Sequence, residues 1–383
     1  MTARAGSGDR TDFEADIDMS TQIDSGGTGT DVDIDVEVDM ETMSTSDRRA
    51  PGDETLEAVA ETRHPAYPFP FVVGVGRSGT TLLRTILDAH RDLAVVHESR
   101  FVGWMAQNRG RYGSNGTFSS ERFLADLLDE RSAIPSRLDA WFIEPEQIRA
   151  AVGRAAPRDL GEAIRALYGS YAAHHGKARY ADKTPGYIGS IQALSEVFPE
   201  ARFIHLVRDG RDVALSMLDV DFGGVNVPHA AWLWSGRVRA AQRAGHALGP
   251  ARYLVVRYED LVGEPAQVVR AICSFLELEF DTAMLHYFEA PDRISAGLGG
   301  QHHHEHIKLP PTTGLRDWRT QMQPSDVRRF ENIAGDVLVE LGYGLHLPPA
   351  STGPLNRVTT PVLVAWGRAV AAWRAKQRVR KRR

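Results

Sequence analysis

The chain has 383 residues, 42% hydrophobic and 25% charged, with a formal net charge of −5 at pH 7, so it carries enough apolar material to bury a full core. Its single cysteine, Cys273, excludes an internal disulfide. The charge is not evenly spread: residues 1–63 hold 17 Asp or Glu against 5 Lys or Arg, a balance of −12 that leaves about +7 for the remainder. Within that stretch, residues 31–39 read Asp-Val-Asp-Ile-Asp-Val-Glu-Val-Asp. Each apolar residue there sits between carboxylates, and such a segment buries too little surface to offset its chain entropy. Residues 1–63 are therefore expected to be a disordered acidic tail. No basic-then-apolar opening is visible, so the cytoplasm is the default compartment.

Order is expected from about residue 64, where Pro65, Pro68 and Pro70 lead into Phe71-Val72-Val73-Gly74-Val75. That short, branched, apolar run suits a parallel strand covered on both faces. A glycine-rich turn, Gly74 to Gly79, opens a helical pattern over Thr80–His90, in which Leu82, Leu83, Ile86 and Leu87 share a stripe. Leu93–Val96 reads as a second strand, leading to His97 and Glu98. Ser119 to Gly176 is helical in pattern, with Pro135, Pro145 and Pro157 as breaks. Arg179–Lys183 then reads as a strand, Ile188–Phe198 as a helix, and Phe203–Val207 as a buried strand followed by a helix from Asp212. Tyr253–Tyr258 is a further strand and Pro265–Leu276 a further helix, with Cys273 in its apolar stripe as a core residue. Alternating strands and helices predict right-handed crossovers. The expected fold is an α/β, P-loop-type three-layer α/β/α with a central parallel sheet, in one domain over residues 64–350.

The segment Gly74-Val75-Gly76-Arg77-Ser78-Gly79-Thr80-Thr81 follows a strand and opens a helix, the context in which glycines let backbone amides cradle an anion. Its spacing matches a nucleoside-triphosphate loop, except that the lysine before the hydroxyl residue is replaced by Thr80 and a cation appears earlier, at Arg77. Such a loop suits a nucleotide with less charge at that end, for example a 5′-phosphosulfate. The run Gly-Val-Gly-Arg-Ser-Gly-Thr-Thr-Leu-Leu-Arg resembles the 5′-phosphosulfate-binding loop of sulfotransferases. Residues 74–100, with Leu87-Asp88-Ala89-His90 and Glu98-Ser99-Arg100, look like the tyrosylprotein sulfotransferase branch. The resemblance implies 3′-phosphoadenosine 5′-phosphosulfate (PAPS) as donor, with no metal. It places Arg77 on the transferring group, and Ser78, Gly79, Thr80 and Thr81 on the 5′-phosphate.

Further along, Arg208 follows a strand and Ser216 lies eight residues on, close enough to share one phosphate if a helix separates them. The pair resembles the family's 3′-phosphate motif; an ion pair of Arg208 with Asp209 or Asp212 is the plainer alternative. Tyr258 is similar to a family tyrosine that packs near the nucleotide, and is equally a core aromatic. Lys308–Arg319 resembles the late family loop that closes over the cofactor, with Asp317 where a lysine is expected; Lys308, Arg316 and Arg319 all stay open for that role. Glu98 stands at the family position of the catalytic base, a role that a dry cleft would favour by raising its pKa toward neutrality. Its alternative is an ion pair with Arg100, and His97 is the rival base. Asp182-Lys183-Thr184-Pro185 resembles the family's strand-end motif, which gives Lys183 as the second cation on the transferring group.

His302-His303-His304-Glu305-His306 lacks the spacing of a metal site and is expected to be a mobile loop near the acceptor cleft. From Arg368 to Arg383 there are eight Lys or Arg and no acid, after an apolar stretch from Pro361 to Trp373. Residues 351–383 are thus expected to be a basic amphipathic tail, as a helix suited to peripheral contact with a membrane, with a frayed, solvated C-terminal helix as the plainer alternative. The function expected is sulfuryl transfer to an acceptor hydroxyl by in-line displacement, with a peptide tyrosine, carbohydrate, glycolipid or metabolite as acceptor. No nucleic-acid partner is expected, and a homodimer is compatible with the sequence. The rival reading is a metal-dependent kinase or another nucleoside-triphosphate enzyme, for which the loop lysine is missing.

Overall fold

The computed structural model describes residues 67–346 and 354–382, apart from 115–116, 130–133, 135–137, 142, 221–223 and 290–315. The acidic stretch 1–63, the run His302–His306 and Lys308 lie outside the described residues.

The central sheet has five strands, β1 (Pro70–Gly74), β2 (Leu93–Val96), β3 (Arg179–Lys183), β4 (Arg202–Val207) and β5 (Tyr253–Arg257). They run parallel in the order β2-β3-β1-β4-β5. All five residues of β1 are buried, because helices cover both faces. Phe71 and Val73 belong to the core under one face, together with Phe203 of β4, while Val72, Ile204 and Leu206 belong to the core under the other. This alternation gives the three layers.

Eight helices of at least six residues carry the argument: α1 (Thr80–Asp88), α2 (Leu160–His174), α3 (Gly210–Leu218), α4 (Val227–Leu248), α5 (Tyr258–Gly263), α6 (Pro265–Leu276), α7 (Pro324–Glu340) and α8 (Pro354–Arg382). Helices α1, α5 and α6 pack on the Val72 face, with Cys273 buried among them; α2, α3, α4 and α7 pack on the Phe71 face. A short antiparallel pair, Gly113–Ser114 with Thr117–Phe118, stands apart from the sheet.

Several boundaries shift from the sequence expectation for local reasons. Helix α3 starts at Gly210, two residues early, because the Asp209 carboxylate accepts from the Arg211 amide and caps it. Helix α1 stops at Asp88. Tyr258 opens α5 instead of closing β5. Pro185–Gly189 forms a 3-10 turn, so the helix after it spans only Ile191–Val197. The largest difference is at the C-terminus. Residues 354–382 form one helix that docks on α4: Asn226 Nδ2 donates to the Leu363 carbonyl at 3.1 Å, and Arg368 stacks over Trp232 at 4.8 Å.

Helix α3 is fastened to α7 by a buried cation. Arg211, 1% exposed, donates to Asp209 at 2.9 and 2.7 Å, to Glu331 at 2.6 Å and to the Gly344 carbonyl at 3.0 Å. Removing one member of a buried ionic cluster strands the others. Arg211→Ala is therefore expected to cost ~3–5 kcal/mol of unfolding free energy in urea titration. A loss of under about 1 kcal/mol, the size of a surface pair, would contradict this reading.

Candidate active site

The strand order places β1 at the switch point of the sheet. The chain leaves β1 toward β2 on one side and leaves the neighbouring β4 toward β5 on the other, which opens a crevice above their carboxyl ends. The Gly74–Thr81 loop rises from β1 there, and Arg208 follows β4 directly. Gly79 caps α1 at φ +93°, a left-handed conformation, and a Cβ on it would meet the Tyr258 ring at 2.5 Å. Only glycine satisfies both demands.

Arg77 also has a left-handed backbone, at φ +76°. A non-glycine residue held there carries strain, and such strain collects at functional sites. Its Nε donates to Ser216 Oγ on α3 at 2.9 Å, joining the loop after β1 to the helix after β4. The Arg77 pKa is lowered, first by burial and then by the like charges of Arg316 and Arg208, with Asp219 opposing. Arg208 is 8% exposed, lies 4.5 Å over the Tyr258 ring and pairs with Asp212 at 3.7 Å. Ser78 Oγ and Arg208 Nε are buried without a hydrogen-bond partner. Unpaired polar atoms at a loop of this shape mark where a ligand would complete the hydrogen bonding. Thr80 is buried as the first residue of α1, and Thr81 is half-buried beside it.

Of the basic residues left open at the late loop, Arg316 and Arg319 are described. Arg316 pairs with Asp219 and acts electrostatically on Arg77, so it stands on the site side. Arg319 is exposed and faces Asp317. The segment is pinned to the start of α3, where the Trp318 amide donates to Asp212 at 2.8 Å and its Nε1 to Asp209 at 3.0 Å.

Lys183 ends β3, beside β1, and Glu98 lies two residues past the end of β2. Lys183 Nζ meets Glu98 Oε1 at 3.0 Å, and Arg100 meets Glu98 Oε2 at 3.3 Å. The plainer Arg100 pair is thus present, and a pair with Lys183 accompanies it. Burial raises the Glu98 pKa, but Lys183, Arg100 and His97 outweigh it and hold the carboxyl at about 2. The expected shift toward neutrality is not found, because the cations dominate over desolvation. Burial lowers the Lys183 pKa, with Glu98 opposing.

Beneath this pair lies a network that sequence reasoning missed. Ser99 Oγ donates to Asp182 Oδ2 at 2.6 Å, the Tyr168 hydroxyl donates to the same oxygen at 2.5 Å, and the Ser99 amide donates to Thr184 Oγ1 at 3.1 Å. Ser99 and Asp182 each adjoin a site residue, and alternate residues of extended chain point to opposite faces. That alternation was the available signal. Among the described residues no cluster of three or more His, Cys, Asp or Glu is placed to hold a metal ion.

The sequence model described as "Sulfotransferase family" matches residues 68–282, more than half of the chain. The chain belongs to the sulfotransferase family. Over 296 residues this sulfotransferase is 28% identical to "Protein-tyrosine sulfotransferase 2" of Gallus gallus, covering 75% of this chain and 72% of that one. It is 27% identical over 298 residues to "Protein-tyrosine sulfotransferase 1" of Homo sapiens, covering 76% and 73%. Among solved structures, it aligns with the sulfotransferase domain of the Synechococcus PCC 7002 olefin synthase at a TM-score of 0.48 and 25% identity, over 75% of this chain and 98% of that one. Membership decides against the nucleoside-triphosphate enzyme as the reading of the loop.

The buried Asp182 gives this sulfotransferase a measurable signature. Burial lifts its carboxyl to about 6, against hydrogen bonds from Ser99, Tyr168 and Thr184. An acid whose folded pKa lies above the unfolded value of ~3.9 stabilises the fold below that value, and loses the contribution as pH rises through 6. Asp182→Asn is expected to flatten the pH dependence of unfolding free energy between pH 4 and pH 7. Glu98, held low, has the opposite sign: its contribution is present above ~4.3 and fades as pH falls toward 2. A stability that climbs from pH 4 to pH 7 equally in wild type and Asp182→Asn would contradict the first assignment.

Proposed function

We propose that this sulfotransferase moves the sulfuryl group of PAPS to an acceptor hydroxyl, with Glu98 as base and Arg77 and Lys183 on the transferring group. The observation that carries the reading is the meeting of Arg77, Ser216 and Arg208 above the carboxyl ends of two adjacent strands, beside the unpaired Ser78 Oγ and Arg208 Nε. The glycine-bounded loop and the start of α1 suit a 5′-phosphate through Ser78, Gly79, Thr80 and Thr81. Arg208 and Ser216 suit the 3′-phosphate, whose double charge favours a guanidinium, and Tyr258 fixes Arg208 from below.

PAPS supplies an activated sulfur with the 5′-phosphate as leaving group. The acceptor oxygen forms a bond to that sulfur as the bond to the bridging phosphate oxygen breaks, and Glu98 takes the acceptor proton. Arg77 and Lys183 offset charge on the sulfuryl oxygens and on the leaving phosphate. Lys183 is paired with Glu98. An anionic sulfuryl group competes for that lysine, and a Glu98 relieved of it becomes a stronger base, because its desolvation then counts for more. Donor binding thereby arms the base. A tyrosine hydroxyl is the acceptor favoured by the names of the relatives.

The test is transfer of radiolabelled sulfate from PAPS to a tyrosyl peptide, with calorimetric binding of adenosine 3′,5′-bisphosphate in the same variants. Glu98→Gln should lower kcat by ~10²–10⁴-fold while leaving nucleotide affinity unchanged. The acid limb of kcat should lie at higher pH than that of kcat/KM, since donor binding raises the Glu98 pKa. Turnover that survives Glu98→Gln removes the carboxylate from its role.

A further inference from the structure

Helix α8 has two faces with different fates. One is closed against α4 at Gly367, where a Cβ would meet His229 Cβ at 2.6 Å, so the backbones lie in close contact. The other carries Val362, Trp366 and Trp373, exposed to 60%, 54% and 61%. Spaced by four and seven residues, they form one stripe along the helix, ~16 Å long at 1.5 Å per residue. Two tryptophans more than half exposed on one line are unusual for a solvated surface.

The charge around this stripe has a single sign. From Pro354 to Arg383 there are nine Lys or Arg and no Asp or Glu. Lys376 is exposed beside the stripe, while Arg368 lies on the α4 side, over Trp232. Among the described residues no helix is long and apolar enough to cross a bilayer. Tryptophan suits the boundary between hydrocarbon and water, having an apolar body and a polar N–H, and basic residues on either side suit anionic headgroups.

We propose that α8 is an interfacial helix, docking the enzyme on an anionic lipid surface with Trp366 and Trp373 seated at the headgroup boundary and Lys376 against lipid phosphates. Charge complementarity fits anionic lipid and the chain's own acidic residues 1–63 alike; the two exposed indoles select lipid, because that stretch has a single aromatic residue, Phe13, and most of its apolar residues lie next to carboxylates. The inference is independent of which donor and acceptor the site uses.

The full chain should co-sediment with vesicles of phosphatidylcholine mixed with phosphatidylglycerol, and not with phosphatidylcholine alone, and added salt should weaken the binding. The double variant Trp366→Ala, Trp373→Ala should lose at least about tenfold in vesicle affinity, given the burial worth of two large aromatics. Lys376→Glu should lose affinity for the anionic vesicles alone. These side chains are exposed, so thermal unfolding of each variant should match wild type, and brominated lipids should quench wild-type tryptophan fluorescence. The proposal is overturned by a wild-type chain that stays in the supernatant with anionic vesicles, or by a double variant that pellets as wild type does. It is equally overturned by a wild-type dimer that the double variant converts to monomer, or by vesicle binding that appears only after residues 1–63 are removed.

Discussion

Lys183 ends β3, and Arg77, Arg208 and Arg316 stand on the segments around the ends of β1 and β4, where like-charge repulsion centres on Arg77. Arg208 and Arg316 both act against the charge of Arg77. Each is held by a local partner: Arg77 by Ser216, Arg208 by Asp212, Arg316 by Asp219, and Lys183 by Glu98. Like charges grouped in this way favour an anionic ligand, such as the nucleotide proposed above, by more than any single pair would give. The rigid parts of the fold resist the splaying that would otherwise relieve the repulsion. Tyr258 wedges between Gly79 and Arg208, and the Arg211 cluster fixes the start of α3 on which Asp209, Asp212 and Ser216 are carried.

The same logic separates ground state from working state. A carboxylate held at about 2 by neighbouring cations is ionised at any physiological pH but is a weak base. Its strength is stored in the desolvation that the cations mask. In the proposed mechanism, an anion that draws Lys183 away would expose that store and tie base activation to occupation of the donor site. The Asp182 network beneath, built from side chains with almost no exposure, keeps the ends of β2 and β3 in register while the charges above them change partners.

Much of this was legible in the chain before any coordinates. The continuous apolar run Phe71–Val73 signals a strand covered on both sides, and the strand–glycine turn–helix context around Arg77 signals an anion loop, because both depend on local sequence. The eight-residue gap between Arg208 and Ser216 likewise put both near one helix start. What local sequence does not carry is pairing between distant segments. The Arg77–Ser216 bond spans 139 positions, and Ser99–Asp182 spans 83. The Glu98 pKa failed as an expectation for that reason: its sign depends on Lys183 arriving from β3. Helix starts moved where a cap such as Asp209 nucleated a turn early. The C-terminal segment was legible as a basic amphipathic helix, but its composition says nothing of Gly367 fitting against His229.

The central claim is that one nucleotide is gripped at opposite ends by segments that leave adjacent strands. Calorimetric titration with adenosine 3′,5′-bisphosphate and with adenosine 5′-phosphate, in wild type and Arg208→Ala without added metal, measures it directly. The account predicts that wild type favours the bisphosphate strongly, and that Arg208→Ala abolishes the preference while still binding the 5′-phosphate through the Gly74–Thr81 loop. Equal affinity of wild type for both nucleotides, or a preference that survives in Arg208→Ala, would contradict it.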